Sequence, residues 1–189
     1  MATSWTPRKA NSNPVSDADR KAKLAEGGFG KYYTDNMIVA EWSEKSGWGN
    51  INLVPYGPLS LDPATAVLHY GQEIFEGLKA YRHPDGSIQT FRPEANAARF
   101  RRSAARLAMA ELPEDVFVQS IEELVEVDAD WVPGGDDQSL YLRPFMISKN
   151  SNRSNCSFKN STKPIRARLT ASSFLNCSIA IAAWISVRR

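Results

Sequence analysis

The sequence has few of the residue combinations that define common functional sites. It contains 2 cysteines and 2 histidines among 189 residues, and neither His69 nor His83 has a second ligand at a metal-binding spacing. Cys156 and Cys177 are not arranged as a C-x-x-C motif, so a thiolate metal site or redox motif is not indicated. A glycine-rich nucleotide-binding loop is also missing from the sequence. Metal, redox and nucleotide-loop chemistry are therefore not predicted.

Acidic residues are absent from residues 148–189. This segment carries eight of the 23 lysines and arginines and both cysteines, whereas residues 1–147 hold all 21 acids against 15 basic residues, a net charge of −6. The basic residues of the segment form no face and have no interleaved aromatic residues, so binding to nucleic acid is not predicted. We predict instead that residues 148–189 are an aberrant, Ser- and Asn-rich basic tail outside the fold. A frame change or an unspliced intron would explain it.

Long apolar runs are absent as well. The longest spans residues 174–187, about 14 residues where roughly 20 are needed to cross a bilayer. Residues 1–28 contain no apolar signal-peptide core. They are predicted to be a flexible N-terminal arm, with a short helix at residues 17–24. These features predict a cytoplasmic protein with no membrane partner.

Between the two ends, the patterns predict one α+β domain at residues 29–147. An apolar stripe with helical spacing predicts an amphipathic helix after Pro93, and a second helix is predicted after Pro113. The turn residues at 83–86 lie between two alternating runs and predict a β-hairpin. Residues 31–42 are predicted to form one strand. Helices packed against an antiparallel sheet follow from this order of elements.

Residues 139–147 are predicted to form the last strand of the domain, and their two-residue period bears on function. Tyr141 and Arg143 share one face of the strand, with Leu140 and Leu142 on the opposite face. A guanidinium offers a planar fork and a phenol a further donor, so the first face could bind a carboxylate. A packed aromatic residue and a surface arginine explain the same pattern.

A second informative stretch is residues 69–82, which read HYGQEIFEGLKAYR. Tyr70 and Phe75 are compatible with half of a pocket wall or with ordinary core positions, and Gly77 is predicted to end a helical turn. Arg99 is one of four arginines on the helix predicted after Pro93. It could bind a phosphate or lie on a solvated helix face. The residues alone leave these alternatives open.

The sequence resembles the branched-chain aminotransferases, enzymes of fold type IV that use pyridoxal 5'-phosphate. The likeness runs in order and spacing over residues 15–147, and its most specific parts are Phe-Glu-Gly-Leu-Lys-Ala-Tyr at 75–81 and Ser-Leu-Tyr-Leu-Arg-Pro at 139–144. The resemblance implies the α+β small domain of that fold, an antiparallel sheet packed with two main helices. It also implies a homodimer that transfers the amino group of leucine, isoleucine or valine to 2-oxoglutarate.

The resemblance assigns roles to individual residues. Arg99 matches the arginine that binds the cofactor phosphate, and Arg143 matches an arginine that helps to recognise the α-carboxylate of 2-oxoglutarate or glutamate. The remaining matches are to substrate-pocket positions: Phe29, Phe75 and Tyr141 correspond to apolar walls, and Tyr70 to a tyrosine that reaches into the partner subunit's site.

The resemblance also implies that this chain lacks the catalytic lysine of the family. In the family, the catalytic lysine that binds the cofactor covalently lies in a second, larger domain beyond the segments matched here. Lys79 lies in the predicted hairpin and is not expected to replace it. The chain is therefore expected to be inactive alone. It is either a catalytically incomplete part of an aminotransferase or a non-catalytic fragment that associates with full-length subunits.

Overall fold

The computed structural model describes residues 10–149 and 176–187. These residues form four α-helices and nine β-strands, with a 3₁₀ turn at Ala129–Trp131. The helices are α1 (Asp17–Glu26), α2 (Ala66–Tyr70), α3 (Pro93–Arg106) and α4 (Glu114–Val127). The strands are β1 (Phe29–Tyr33), β2 (Asn36–Ser43), β3 (Gly47–Trp48), β4 (Asn52–Pro55), β5 (Glu73–Phe75), β6 (Leu78–Arg82), β7 (Ile88–Thr90), β8 (Gln138–Lys149) and β9 (Asn176–Val187).

The nine strands form one antiparallel sheet. Its main order is β3-β2-β9-β8-β6-β7, while β1 pairs with β9, β4 with β2, and β5 with β8. Helices α3 and α4 bury Phe100, Phe117 and Leu124 in the same core cluster as Leu142 of β8 and Ile181 of β9. We call this helix-covered side the inner face of the sheet and the opposite side the outer face. The predicted α+β class, with two main helices on an antiparallel sheet, is confirmed.

The elements with the clearest local patterns form where the sequence predicts them. Helix α3 has Pro93 in its first turn, where the missing N–H costs no hydrogen bond, and it buries Ala97, Phe100 and Ala104. Helix α4 buries Phe117, Ile121 and Leu124 among others. Strands β6 and β7 pair as the predicted hairpin. In each case the apolar period of the sequence gives the face that is buried.

Three local predictions are wrong. Residues 31–42 form parts of two strands, because the extended conformation is interrupted at Asp35. The Asp35 carboxylate accepts hydrogen bonds from the Val15 N–H and the Trp131 indole. An aspartate followed by a proline, at residues 62 and 63, predicts a helix that starts there. The helix α2 starts instead at Ala66, since the Asp62 carboxylate accepts a hydrogen bond from the Ala64 N–H in a turn. Gly71, with φ 59°, ends that helix.

Gly77 therefore does not end a helical turn, and the sheet explains its position differently. It lies between β5 and β6. A Cβ at this residue would overlap the Tyr141 hydroxyl oxygen, far inside van der Waals contact. The Tyr141 phenol occupies the space that a side chain at residue 77 would need, so only glycine fits there.

The predicted N-terminal arm is docked on the domain over the part that the structure describes. The Asn11 N–H donates to the Asn36 Oδ1 at 2.7 Å, and the Val15 N–H donates to the Asp35 Oδ1 at 2.9 Å. The short helix predicted at 17–24 is α1, and its N-cap Ser16 accepts a hydrogen bond from the Asp19 N–H, as N-cap serines commonly do.

Strand β9 departs from the expectation that residues 148–189 lie outside the fold. It lies between β2 and β8 and pairs with β8 from Gln138↔Val187 to Lys149↔Asn176. Its inner-face residues include Ile179 and Ile185, which are 0% and 1% exposed. The composition of the segment disfavours a place in the fold, but its alternating apolar residues suit a central strand. Residues 150–175 lie outside the described part of the chain, and the origin of the tail stays a prediction.

Candidate functional site

The outer face of β8 presents the side chains that the sequence singled out. Tyr141, Arg143 and Phe145 occupy alternate positions of the strand, so the Cα atoms of successive members are about 6.7 Å apart. Strand pairing places Trp184 of β9 beside Tyr141 and Phe75 of β5 beside Phe145. These five side chains therefore share one side of the sheet.

Four of the predicted site residues meet here in a group that we call the aromatic cluster: Phe29, Phe75, Tyr141 and Arg143, together with Trp184. The ring of Tyr141 lies 5.3 Å from that of Phe29 and 4.9 Å from that of Trp184. Phe29 and Phe75 are 63% and 61% exposed. Such exposed aromatic rings are typical of a binding surface rather than of a core.

Arg143 lies at the centre of the aromatic cluster. Its Cζ atom is 4.5 Å from the Phe75 ring centroid, 5.2 Å from that of Tyr141 and 5.5 Å from that of Trp184. Its Nη2 donates to the Tyr141 hydroxyl at 2.8 Å. Its Nε is buried without a hydrogen-bond partner in the described part of the chain. A cation held by aromatic rings and a phenol, with no ion-pair partner among residues 10–149 and 176–187, is suited to bind a carboxylate.

Arg99 lies on α3 and is paired with Glu76. Its Nε and Nη2 donate to the two carboxylate oxygens of Glu76 at 2.6 and 2.5 Å. The Arg99 side chain is 56% exposed, while that of Glu76 is 5% exposed. The hydrogen bonds to Glu76 raise the pKa of Arg99, which stays a cation. Glu76 precedes Gly77 in the chain, and this links Arg99 to the Tyr141 end of the aromatic cluster.

Arg99 also lines an open cleft of about 370 Å³ between β6 and the start of α3. We call this the basic cleft, since Lys79 and Arg92 line it as well. Its other lining residues are Gly77, Leu78, Tyr81, Phe91, Ala95 and Asn96. Three cationic side chains around one cleft suit a phosphate monoester, because the summed charge attracts a dianion. The residues present thus fit a phosphate-bearing cofactor.

A second cleft, of about 330 Å³, lies on the outer face beside Phe145. We call it the apolar cleft, because Val39, Leu59, Phe145 and Ile147 line it. The aromatic cluster lies between the two clefts in the strand register: Tyr141 pairs with Lys79 of the basic cleft, and Phe145 lines the apolar one. An apolar cavity with a few polar groups at its margin suits a small aliphatic side chain.

Tyr70 is not brought to this group. It ends α2 and is 75% exposed, and the ring contact that the structure shows for it is with His69, at 6.2 Å. The neighbouring Leu68 is 60% exposed. The expected role of Tyr70 in a partner subunit's site stays a prediction.

Sequence reasoning missed several residues of the site, among them Trp184 and Glu76. Trp184 lies in the predicted tail, although the alternation of residues 178–186 could have placed it on a strand face. Glu76 is the one charged residue in the segment Phe-Glu-Gly-Leu at residues 75–78. An acid among apolar neighbours is a signal of a buried, partnered carboxylate. Over residues 10–149 and 176–187 there is no group of three or more residues that could hold a metal ion. No helix within those ranges is long and apolar enough to cross a membrane.

Comparison with known proteins supports the family suggested by the motifs. No family model matches the chain. The branched-chain-amino-acid aminotransferase of Mycolicibacterium smegmatis is 60% identical over 140 residues, 74% of this chain and 38% of that protein.

Two solved structures share the fold. One is the branched-chain aminotransferase of Thermoproteus uzoniensis with norvaline, with a TM-score of 0.51 and 22% identity over 79% of this chain and 40% of that one. The other is the branched-chain amino acid aminotransferase of Thermobaculum terrenum in its PLP form, with a TM-score of 0.50 and 16% identity over 82% of this chain and 42% of that one. At these identities the likeness concerns the fold alone.

The chain spans about two fifths of the length of the curated relatives that it matches. Over the matched residues the identity to that relative is 60%, and the solved structures named above share the α+β fold. The chain belongs to the branched-chain aminotransferase family, of which it carries the N-terminal domain.

Proposed function

We propose that the chain supplies the phosphate-binding and substrate-binding surfaces of a pyridoxal-5'-phosphate-dependent aminotransferase. The enzyme transfers the amino group of leucine, isoleucine or valine to 2-oxoglutarate. One observation carries the proposal: along β8, Tyr141 pairs with Lys79 of the basic cleft, Arg143 follows, and Phe145 lines the apolar cleft. A phosphate, a carboxylate and an aliphatic side chain are the groups that cofactor and substrate bring to such a surface.

Arg99 would hold the cofactor phosphate, and Lys79 and Arg92 add positive charge around the same cleft. When bound, the cofactor supplies an electron sink that stabilises a carbanion at the substrate α-carbon. The contribution of this chain is to anchor the phosphate, so that the reactive end of the cofactor has a fixed position.

Arg143 would bind a substrate carboxylate, because its guanidinium forms no ion pair within the described part of the chain. Phe29, Phe75 and Tyr141 would form apolar walls that exclude water from the bound substrate. The apolar cleft would accept a branched aliphatic side chain, and a second carboxylate such as that of 2-oxoglutarate would meet the polar groups at its margin. The Glu41–Lys149 pair, with 2.7 Å between Nζ and Oε1, lies at that margin.

In this proposal the chain binds cofactor and substrate but does not catalyse the amino transfer by itself. Lys79 does not take the catalytic role, because it lies on β6 opposite Tyr141 and belongs to the cleft proposed for phosphate. Binding of phosphate is then the property that tests the proposal directly.

The test compares pyridoxamine 5'-phosphate with pyridoxamine, because neither probe carries an aldehyde that reacts with surface lysines. Binding to the purified chain is followed by quenching of tryptophan fluorescence, for which Trp184 lies in the site. We expect tighter binding of the phosphorylated probe. Arg99→Ala is expected to weaken that binding about tenfold or more, the loss of a charge-assisted hydrogen bond, and to leave binding of pyridoxamine unchanged.

Arg102→Ala is the matched control, since Arg102 is an exposed arginine of the same helix that does not line the basic cleft. It should leave the affinity for both probes within about twofold of the unmodified chain. Equal effects of Arg99→Ala and Arg102→Ala, or equal affinity of the chain for the two probes, would overturn the proposal.

A second candidate function is that of a non-catalytic fragment that associates with full-length subunits. The exposed Leu68 and Tyr70 on α2 favour it, because apolar side chains with 60% and 75% exposure mark a contact surface. Homodimerisation, cytoplasmic localisation and the absence of a nucleic-acid partner stay predictions.

A further inference from the structure

Glu76 is a buried carboxylate to which the proposed binding surfaces assign no role. Its side chain is 5% exposed, and its backbone N–H donates to the Pro144 carbonyl at 2.8 Å, which fixes it against β8. A buried carboxylate is costly unless it is paired and hydrogen-bonded. The contacts that offset this cost therefore show what the acid does.

Within residues 10–149 and 176–187, both groups that donate hydrogen bonds to the Glu76 carboxylate come from α3. Arg99 donates to both of its oxygens, and the Asn96 Nδ2 donates to Oε2 at 2.8 Å. Asn96 and Arg99 are three residues apart, so they are neighbours on one side of the helix. A two-point contact fixes the plane of the guanidinium as well as its distance. Arg99, a long side chain with 56% exposure, is thereby held in one orientation.

The pairing leaves part of the guanidinium available. Arginine has five N–H groups, and Glu76 accepts hydrogen bonds from Nε and Nη2. The remaining three N–H groups lie on Nη1 and Nη2, at the far end of the side chain. Because Arg99 lines the basic cleft, this end is the part that a ligand in the cleft would meet.

We infer that Glu76 is a positioning residue, which holds the Arg99 guanidinium so that its outer N–H groups bind a phosphate monoester in the basic cleft. The inference rests on the proposed function, since it takes the cofactor phosphate as the ligand. A carboxylate near a phosphate site repels the ligand by its charge. Positioning and charge thus have opposite effects on affinity, and a neutral, isosteric substitution separates them.

Glu76→Gln removes the charge, keeps the shape and keeps one acceptor oxygen. If Glu76 positions Arg99, the affinity for pyridoxamine 5'-phosphate falls about fivefold, as expected for the loss of one hydrogen bond in the pair, and the affinity for pyridoxamine is unchanged. If Glu76 acts through charge alone, Glu76→Gln binds the phosphorylated probe more tightly. If its role is only structural, both probes are affected equally. Either of the last two results overturns the inference.

Glu76→Asp provides a second variant, which keeps the charge but shortens the reach by one methylene. Positioning requires that it also weakens binding of the phosphorylated probe, whereas a charge effect requires unchanged affinity. Thermal unfolding of both variants shows whether they fold. If Glu76→Gln does not fold, Glu76→Asp and the Arg99 signal described next decide the matter.

An NMR measurement without ligand tests the positioning directly. The Nε–H proton of Arg99 should exchange slowly with water in the unmodified chain, because Glu76 accepts its hydrogen bond, and fast in Glu76→Gln and Glu76→Asp. Arg101, whose Nε lies 3.2 Å from a Glu114 oxygen, is the internal control and should not change. An unchanged Arg99 signal in both variants would contradict the inference.

The two proposals fail in different ways. If Arg99→Ala leaves the affinity for pyridoxamine 5'-phosphate unchanged, the phosphate site itself is wrong. If Arg99→Ala weakens binding but Glu76→Gln does not, only the positioning role is wrong. The double variant adds a check: in the Arg99→Ala background, Glu76→Gln should cause no further loss, because the two residues act as one unit.

Discussion

At the scale of single residues, Asp128 is a buried carboxylate whose pKa is shifted by its surroundings. It is 3% exposed, and its carboxylate accepts hydrogen bonds from the Asn36 side chain at 2.6 Å and the Asn36 N–H at 3.2 Å. Burial raises the pKa of Asp128 above its ordinary value of 3.8, against the lowering effect of the hydrogen bonds from Asn36 and Thr34, and the neighbouring Asp35 adds to the rise. The folded state therefore holds the Asp128 proton more tightly than the unfolded state does.

The first prediction concerns the pH dependence of stability. Because the folded pKa of Asp128 is raised, the unfolded chain releases this proton first, and the contribution of Asp128 to the free energy of unfolding falls as the pH rises above 3.8. It becomes constant once the pH exceeds the folded pKa. Asp128→Asn should remove this part of the pH dependence. Urea unfolding from about pH 4 to about pH 8 measures it.

Asp136→Asn is the control, because Asp136 is an exposed aspartate of the following loop. It should leave the slope of stability against pH as in the unmodified chain. The same slope in Asp128→Asn would show that Asp128 does not titrate differently in the two states.

At the scale of elements, β9 joins the two halves of the sheet, because it lies between β2 and β8. It has pairing partners on both sides, β8 on one and β1 and β2 on the other. Its inner-face isoleucines belong to the same core cluster as the apolar residues of α3 and α4. Without β9, strand β8 and the β2 pair would each have an unpaired edge, which is prone to aggregation.

The second prediction tests this position of β9. Ile185→Ala should lower the free energy of unfolding by about 2–5 kcal/mol, because it leaves a cavity at a side chain that is 1% exposed. Leu68→Ala removes a side chain of the same size that is 60% exposed, and its effect should stay within about 0.5 kcal/mol. Urea unfolding of both variants makes the comparison, and a mild effect of Ile185→Ala would place residues 176–187 outside the core.

At the scale of the whole molecule, several large apolar side chains of the outer face, of α2 and of the basic cleft are exposed to solvent. Phe29, Tyr70, Phe75 and Phe91 are exposed by 63%, 75%, 61% and 75%. Because the chain spans about two fifths of the length of its relatives, such surfaces are expected where the rest of a complete enzyme, or a second subunit, would pack. Their dispersion over different elements indicates more than one contact.

The third prediction concerns association. Mixed with a full-length branched-chain aminotransferase, the chain should form a heterodimer that sedimentation velocity resolves, and Tyr70→Ala should weaken it about tenfold, the effect of removing a buried aromatic anchor. Phe91→Ala is the matched control, since Phe91 is equally exposed at 75% but lies in the basic cleft. Equal effects of the two substitutions, or no association of the unmodified chain, would contradict a role for Tyr70 at a subunit contact.

The sequence by itself determined the elements whose signals are local. The stripe of Phe100 and Ala104, the proline at the start of α3 and the turn of the β6–β7 hairpin each act within a few residues. The alternation of Tyr141 and Arg143 with Leu140 and Leu142 likewise fixed which face of β8 is polar, because the two-residue period of a strand allows no other assignment.

Only the tertiary structure decided the features that depend on distant partners. The pairing of Arg99 with Glu76, the space that Gly77 leaves for the Tyr141 hydroxyl and the entry of Trp184 into the aromatic cluster all join residues far apart in the chain. Strand order and register bring them together, and these depend on which apolar faces pack best in the complete sheet. The alternation of residues 176–187 is compatible with a strand, but its burial in the centre of the sheet depends on β2 and β8, which lie far away in the sequence.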